Sequence, residues 1–296
     1  MACSDFSIED ADKGAVDSAI VEETFLQDAN PRVDLLWMMD NTSSMETEQA
    51  HLIANIETFV DNLDGYNISW HIGVITPDGD GILEGNPWIL TTETSSSETL
   101  AQTINVGLDG TLPQSGLAAI TSALTEPLTS TANMGFRRDN AALHVVVYSD
   151  GDDQSDSLLG SDPVSTMIQL LQQEELRTGL PAVLSAVVGP TPGGCINANG
   201  GATAGARYIE VAERTGGSTR SICHPNLRRI AEDVTDVSVS LPTRFTLQGT
   251  PLLGTVRVAI DGDRMDDGWT VDGDAILFSP PPHYGATITV RYEVTS

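Results

Sequence analysis

Lysine is almost absent from this sequence. Lys13 is the only lysine among 14 basic residues, and 42 acidic residues bring the formal net charge to −28. So acidic a chain repels phosphate, which argues strongly against nucleic-acid binding and against adsorption to anionic lipid surfaces. The composition suits a secreted or surface protein in salty surroundings, where ions screen the self-repulsion, although an ordinary soluble acidic protein is the simpler alternative.

The sequence also lacks an apolar run long enough to cross a bilayer, and its first residues lack the basic and apolar prelude of a signal peptide. Cys3 follows the small residue Ala2 and precedes an acidic stretch, as at the mature start of a bacterial lipoprotein, where such a cysteine is acylated. The alternative is an ordinary cysteine near a chain end. Cys3 is therefore the candidate lipidation site, and a lipid anchor there would be the only expected contact with a membrane.

Cysteine is scarce, and the three residues form an odd set. No Cys-x-x-Cys or Cys/His spacing supports a zinc site. Cys195 and Cys223 flank one predicted helix, so they could close a structural disulfide in an oxidising compartment, with Cys3 left over. Three reduced thiols in a cytosolic protein are the alternative.

Signatures of catalysis are missing as well. The sequence has no nucleophile elbow, phosphate loop or dinucleotide fingerprint. Its five histidines show neither metal-binding nor catalytic-triad spacing. We therefore expect a protein that is not an enzyme.

What the sequence does have is an alternation of strand-like and helix-like patterns over residues 31–240, which predicts an α/β domain with a doubly wound, mainly parallel, Rossmann-like sheet. Strands are predicted near residues 33–39, 68–75, 88–90, 143–149, 182–188 and 218–222. Helices are predicted near residues 46–63, 96–105, 115–128, 162–178, 204–214 and 225–237.

The two ends of the chain differ from this pattern. Residues 241–296 alternate apolar and polar positions between turn residues, which predicts a small antiparallel β-sandwich-like module. Its strands are predicted near 243–247, 256–260, 275–278 and 286–294. Residues 1–30 are acidic and weakly patterned, and we expect a separate N-terminal segment that is extended or partly helical.

The most informative stretch is the apolar run at 33–39, which ends abruptly in the polar residues DNTSS at 40–44. A buried strand, a tight polar loop and then a helix place this loop at the carboxyl end of a strand, where open α/β sheets bind ligands. Asp40, Thr42 and Ser44 offer one carboxylate and two hydroxyls at alternate positions. Oxygen ligands of this kind suit hard divalent cations.

This pattern resembles the metal-ion-dependent adhesion site of von Willebrand factor type A domains, whose signature is Asp-x-Ser-x-Ser, with threonine here in place of the first serine. The resemblance covers residues 31–240. It implies a second loop that supplies a threonine hydroxyl, best matched by Thr111, and a third loop that supplies Asp150 after the strand at 143–149. Asp109 and Thr121 are the alternatives for the second loop, but Thr121 falls inside a predicted helix.

The resemblance also implies a function. A divalent ion, Mg²⁺ first and Ca²⁺ or Mn²⁺ as alternatives, would leave one position open for an acidic group of a protein or glycan partner on a bacterial surface or envelope. One alternative is a structural subunit of a surface layer, filament or virion-like assembly, in which the metal only stabilises. A cytosolic partner of an ATPase or chelatase is a third, disfavoured because no companion motif is present.

A closer similarity is to secreted or lipid-anchored type A proteins of myxobacteria-like bacteria. It rests on the segment NMGFRRD at 133–139, on Gly189-Pro190 with Cys195, and on the segment SIC at 221–223. Together with the position of the two cysteines around one helix, it predicts the disulfide Cys195–Cys223.

The acidic turn Asp78-Gly79-Asp80 invites a calcium interpretation. Tight turns also favour Asp-Gly pairs without any metal, which is the simpler explanation.

Overall fold

The computed structural model describes residues 18–27, 32–65, 68–93, 96–198, 200–224, 242–283 and 285–295. The chain divides into two units, one formed by residues 28–243 and the other by residues 1–27 together with 244–296. The described strands are β1 (Ser18–Leu26), β2 (Arg32–Met39), β3 (Ser69–Ile75), β4 (Leu90–Thr91), β5 (Ala142–Tyr148), β6 (Ala182–Val188), β7 (Cys195–Asn197), β8 (Gly200–Ala202), β9 (Thr219–Ser221), β10 (Arg244–Thr246), β11 (Arg257–Ile260), β12 (Asp263–Met265), β13 (Trp269–Asp272), β14 (Ala275–Phe278) and β15 (Thr287–Thr295). The described helices are α1 (Glu46–Ile53), α2 (Ile56–Gly65), α3 (Ser97–Ile104), α4 (Gly116–Ala123), α5 (Asp156–Leu159), α6 (Pro163–Thr178) and α7 (Ala206–Thr215).

A six-stranded sheet of order β4-β3-β2-β5-β6-β9 organises the unit formed by residues 28–243. β2 pairs in parallel with both β3 and β5, and only the short β4 runs antiparallel to its neighbour. The chain therefore leaves β2 toward β3 on one side and returns to β5 on the other. That reversal is the topological switch point, where open α/β sheets bind ligands beyond the carboxyl ends of the strands.

Both faces of this sheet are buried, as the uninterrupted apolar runs predict. Along β2 the side chains alternate between two cores. Leu35 and Trp37 pack with α1, α2 and α3 on one face, whereas Leu36 and Met38 pack with α4, α6 and α7 on the other. The predicted doubly wound, mainly parallel architecture is confirmed.

The helix predicted over 46–63 is two helices, because the chain turns at Ala54 and Asn55. Asn55 N donates to Leu52 O at 2.9 Å, and Asn55 Nδ2 donates to His51 O at 2.9 Å. Asparagine competes for backbone groups in this way and so favours helix ends. The helix predicted near 225–237 lies outside the described residues.

The second unit contains two antiparallel sheets, β1-β15-β11-β12 and β10-β14-β13. Their side chains share one core, to which Phe245 and Ile276 contribute from one sheet and Val258 and Val290 from the other. The predicted antiparallel module is confirmed. Residues 241–296 contain two described strands more than expected, β12 and β13, which the sequence analysis assigned to turns.

The N-terminal stretch has a role in this module that the sequence analysis did not anticipate. β1 pairs antiparallel with β15 along its whole length, from Ser18 opposite Thr295 to Leu26 opposite Thr287. Phe25 on this strand packs against Phe245, with ring centroids 5.5 Å apart. Residues 18–26 are thus a strand of the module rather than a separate segment.

Candidate metal centre

Asp40 follows the last residue of β2 at the switch point, and only 1% of its surface is exposed. Its Oδ1 accepts hydrogen bonds from Thr42 N at 2.9 Å and from Thr42 Oγ1 at 2.7 Å. Its Oδ2 accepts from Ser149 Oγ at 2.5 Å. Gln49 Nε2 donates to the Asp40 carbonyl at 2.8 Å. Asp40 is therefore held from the first loop, from helix α1 and from the end of β5.

Four of the five predicted ligands form a continuous chain of contacts. Thr42 Oγ1, bonded to Asp40, lies 3.2 Å from Ser44 Oγ. Ser44 in turn lies close enough to Asp150 to lower the pKa of its carboxyl group. The structure therefore brings together the oxygen atoms of the first and third loops, as the carboxyl ends of adjacent parallel strands should.

Thr111 reaches this cluster through its loop. Gly110 N donates to Asn41 O at 2.8 Å, and a side chain at Gly110 would collide with Asn41, so the second loop packs closely on the first. Thr111 N and Asn41 Nδ2 donate to the two carboxylate oxygens of Asp78, at 3.2 and 2.8 Å. In the described part of the chain, no hydrogen bond joins the Thr111 hydroxyl to the other four side chains.

Thr121, the alternative hydroxyl for the second loop, makes a hydrogen bond inside a helix. Its Oγ1 donates to Leu117 O at 2.8 Å within α4. Among the hydroxyls considered for the second loop, Thr111 thus remains the candidate, while Asp109 is an exposed acid on the same loop.

The site gathers negative charge. Burial raises the pKa of Asp150, and the charges of Asp40 and Glu48 raise it further, against the opposing hydrogen bond from Ser44. Glu48 lies on α1 and is 1% exposed; its Oε1 accepts from Gly201 N at 2.9 Å. Its Oε2 is buried and has no hydrogen-bond partner among the described residues. A cation nearby would offset this repulsion.

The donor set fits a hard cation. Two carboxylates and three hydroxyls are all oxygen donors, and Mg²⁺ and Ca²⁺ prefer oxygen. Among the described residues, no group of three or more His, Cys, Asp or Glu side chains is placed to bind a metal. The orphaned oxygen of Glu48 and the crowded acids favour a positive charge here.

Residues 34–178 match the family model described as von Willebrand factor type A domain. This stretch is a von Willebrand factor type A domain. The matched range begins within β2, ends with α6 and contains all five predicted metal ligands.

The other comparisons add little. No curated protein matches the sequence. Among 166 matching chains of solved structures is the pilus adhesin SpaC from Lactobacillus rhamnosus GG, with a TM-score of 0.43 and 9% sequence identity. That likeness covers 93% of this chain and 41% of the adhesin chain, so this chain spans less than half of its length. The similarity to proteins of myxobacteria-like bacteria stays a prediction.

Two further points concern the envelope predictions. Cys3 lies outside the described residues, so its acylation also stays a prediction. None of the described helices combines the length and the apolar character needed to cross a membrane.

Beyond the matched range, a hairpin frames the candidate metal centre of the type A domain. The predicted disulfide Cys195–Cys223 is confirmed, with its Cα atoms 6.3 Å apart, and it tethers the β7–β8 hairpin. Gly201 of this hairpin binds Glu48, and Thr203 donates to Asp150 O from its N at 2.8 Å and from its Oγ1 at 3.2 Å. The hairpin therefore holds both the third loop and α1.

The polar residues that follow Asp150 stabilise the type A domain by capping a helix. Asp153 Oδ1 accepts from Leu117 N at 2.9 Å, and Ser155 Oγ accepts from Ala118 N at 3.0 Å. These bonds satisfy free amides in the first turn of α4 and so cap that helix. Asp152 and Asp153 also face Arg207, whose backbone N donates to Asp152 Oδ1 at 3.0 Å.

Sequence reasoning missed two residues that shape the centre. Ser149 was assigned only as the end of a strand, yet it holds Asp40. A serine directly before the third-loop aspartate was the available signal. Glu48 was not singled out, because an acid in the first turn of an amphipathic helix is usually solvated.

Proposed function

We propose that the type A domain binds a divalent cation through Asp40, Thr42, Ser44, Thr111 and Asp150, with Mg²⁺ as the expected ion. The bound ion would engage an acidic group of a protein or glycan partner on the surface or envelope of a bacterium. The observation that carries this proposal is the convergence of the first and third loops into one hydrogen-bonded cluster at the switch point.

When bound, a divalent ion supplies an electrophilic position that an acidic oxygen of a partner can fill. The residues of this chain prepare that position. Ser149 and Thr42 fix the Asp40 carboxylate, the hairpin fixes the backbone of Asp150, and Asp78 joins the first loop to the second. Because each carboxylate is already oriented, little ordering is needed when the ion binds.

The burial of one serine–histidine pair, Ser185 and His144, supports binding rather than catalysis. Ser185 Oγ and His144 Nε2 lie 2.8 Å apart, as in a nucleophile–base pair. Both residues are buried in the sheet, with 0% and 1% of their surface exposed. A substrate cannot reach that hydroxyl, so the pair serves the packing of β5 against β6.

The first test is thermal unfolding of the full chain in Mg²⁺ and in EDTA. At a Mg²⁺ concentration about 100 times Kd, binding stabilises the folded state by about 2.7 kcal/mol. For a domain of this size we expect a rise in Tm of about 5–10 °C. Asp40→Asn keeps the shape of the side chain, removes its charge and should abolish the shift, as should Asp150→Asn.

Asp267→Asn is the matched control, because it removes an exposed acid from the other unit and should keep the full shift. Asp109→Asn tests the alternative second-loop ligand and should also keep it. A shift that persists in Asp40→Asn would refute the metal site. If partner capture survives both EDTA and Asp40→Asn, the structural-subunit role replaces adhesion.

A further inference from the structure

A groove of about 400 Å³ adjoins the candidate metal centre. Thr111, the hydroxyl expected from the second loop, lies on its wall beside Asp78. Asp78 accepts hydrogen bonds from Thr111 N and from Asn41 Nδ2, and Asn41 stands between Asp40 and Thr42 in the first loop. The groove and the metal centre therefore share one hydrogen-bonded frame, and a partner segment at the ion would pass the groove.

The charge in this groove has one sign. Asp78 and Asp80 line it and are exposed, and no Lys, Arg or His is among the described residues of its wall. Asp80 accepts a hydrogen bond from Ile82 N at 3.1 Å, which fixes its carboxylate without neutralising it. A cleft lined by one sign of charge concentrates the opposite charge, so the groove suits a cationic group.

The rim of the groove is apolar and uncovered. Leu112, on the second loop, is 73% exposed, and Leu158, on the short helix α5, is 68% exposed. Pro77 and Pro113 also line the groove, and their fixed backbone angles stiffen its wall. A long aliphatic stem would cover the leucines, and a cationic head at its end would reach the carboxylates, which describes lysine and arginine.

We propose that this groove binds a lysine or arginine side chain of the same partner segment whose acidic group reaches the metal. The inference rests on the proposed function, because it adds a second contact to a partner already held at the ion. It names the partner as a protein segment that carries both charges, and it excludes a uniformly acidic glycan.

The test uses short peptides as probes of the full chain. Blocked peptides of glycine and alanine carry one glutamate and, at each neighbouring position in turn, lysine, norleucine or a second glutamate. Norleucine keeps most of the aliphatic stem and removes the charge. In Mg²⁺ we expect the best lysine peptide to bind about three- to fivefold more tightly than its norleucine match, the range of an exposed ion pair, and the peptide with two glutamates to bind most weakly.

Matched variants locate the effect. Asp80→Asn should abolish the preference for lysine, whereas Glu84→Gln, an exposed acid outside the groove, should keep it. Leu158→Ser should weaken the lysine and norleucine peptides together. Leu176→Ser, an equally exposed leucine on α6, should leave both unchanged. Melting temperatures measured in parallel verify that each variant is folded.

The outcomes separate this inference from the proposed function. Binding that needs Mg²⁺ but ignores lysine overturns the groove and leaves the metal mechanism intact. A preference for lysine that persists in EDTA and in Asp80→Asn shows diffuse attraction to an acidic chain, which also overturns the groove. If no peptide binds in Mg²⁺, the inference is wrong, and the thermal-shift test decides separately whether the proposed function fails with it.

Discussion

Asp34 interrupts the apolar run of β2 with a fully buried carboxylate. Arg137 Nη1 donates to its Oδ2 at 2.6 Å, and Arg138 Nε donates to its Oδ1 at 2.7 Å. Arg137 also binds Glu174, which Arg177 binds from the next turn of α6. The segment at 133–139 that the sequence analysis singled out therefore neutralises a buried acid at the end of the sheet opposite the metal centre.

Glu174 should make the stability of the type A domain depend on pH. Burial would raise its pKa, but hydrogen bonds from Arg177 and Arg137 outweigh burial and hold the pKa below its usual value. A lowered pKa in the folded state means that this stabilisation is complete above the unfolded pKa and is lost as pH falls through the folded pKa.

We therefore expect Glu174→Gln to be less stable than wild type at pH 7, by about 1.5–3 kcal/mol for hydrogen bonds to charged groups. The difference in stability between the two proteins should shrink as pH falls below 4.5, the ordinary pKa of glutamate. Urea unfolding at several pH values measures it, with Glu175→Gln as the exposed neighbouring control. A gap that stays constant down to pH 3 would contradict the ion-pair explanation.

The residues of the candidate metal centre could be predicted to different degrees. Asp40, Thr42, Ser44 and Asp150 follow apolar strands directly, so their place at one sheet edge follows from the sequence. Glu48 could not be predicted, because its burial depends on a hairpin more than a hundred positions away in the chain. The residues around a carboxylate in the sequence do not show which distant backbone amide will donate a hydrogen bond to it.

Among the elements, the β7–β8 hairpin depends most on one contact. Gly200 has φ +138°, and a side chain there would collide with the carboxylate of Glu48. Gly193 in the same region also has positive φ, at +92°, but a Cβ added there would meet only open space. A substitution at Gly193 therefore tests backbone strain alone, whereas a substitution at Gly200 adds a collision with Glu48.

We expect Gly193→Ala to cost about 1–2 kcal/mol, the strain of an L-residue at positive φ, and to leave Mg²⁺ affinity unchanged. Gly200→Ala should cost more and should also weaken Mg²⁺ binding, because it displaces Glu48 and the hairpin that holds Asp150. Calorimetric titration with Mg²⁺ and denaturant unfolding measure the two effects. Equal Mg²⁺ affinity in both variants would show that the hairpin does not position the metal centre.

The elements that could be predicted are those whose own residues form a clear apolar run or a clear helical repeat. β2, β5 and β6 are mostly apolar, and α6 and α7 begin and end within two residues of their predicted bounds. The hairpin strands β7 and β8 are short, polar and glycine-rich, so their pairing depends on the disulfide and on Glu48 rather than on propensity. β12 and β13 were assigned to turns because they are short and acidic and glycine residues dominate the segments around them.

On the scale of the whole molecule, the module recruits the beginning of the chain. Phe25 and Ile20 lie on the same strand, but Phe25 packs against the core of the module whereas Ile20 is 61% exposed. We expect Phe25→Ala to destabilise the module by about 2 kcal/mol, less than the 3–5 kcal/mol of a fully buried phenylalanine. Ile20→Ala should change its stability by less than about 0.5 kcal/mol.

Hydrogen exchange resolved along the chain measures this prediction. Amides of β15 should lose protection in Phe25→Ala and keep it in Ile20→Ala, whereas the strands of the type A domain should be unaffected in both. Loss of protection throughout the type A domain as well would contradict the division of the chain into two units.

The pairing of β1 with β15 has a consequence for biosynthesis. The ribosome makes β1 before the type A domain and β15 after it. Domains can fold as they emerge, so we expect the type A domain to fold while β1 still waits for its partner. A waiting strand can pair wrongly with other chains. Glu22 and Glu23, in the middle of β1, place like charges on any copy that approaches in register, so nascent chains on one message repel each other until β15 is made.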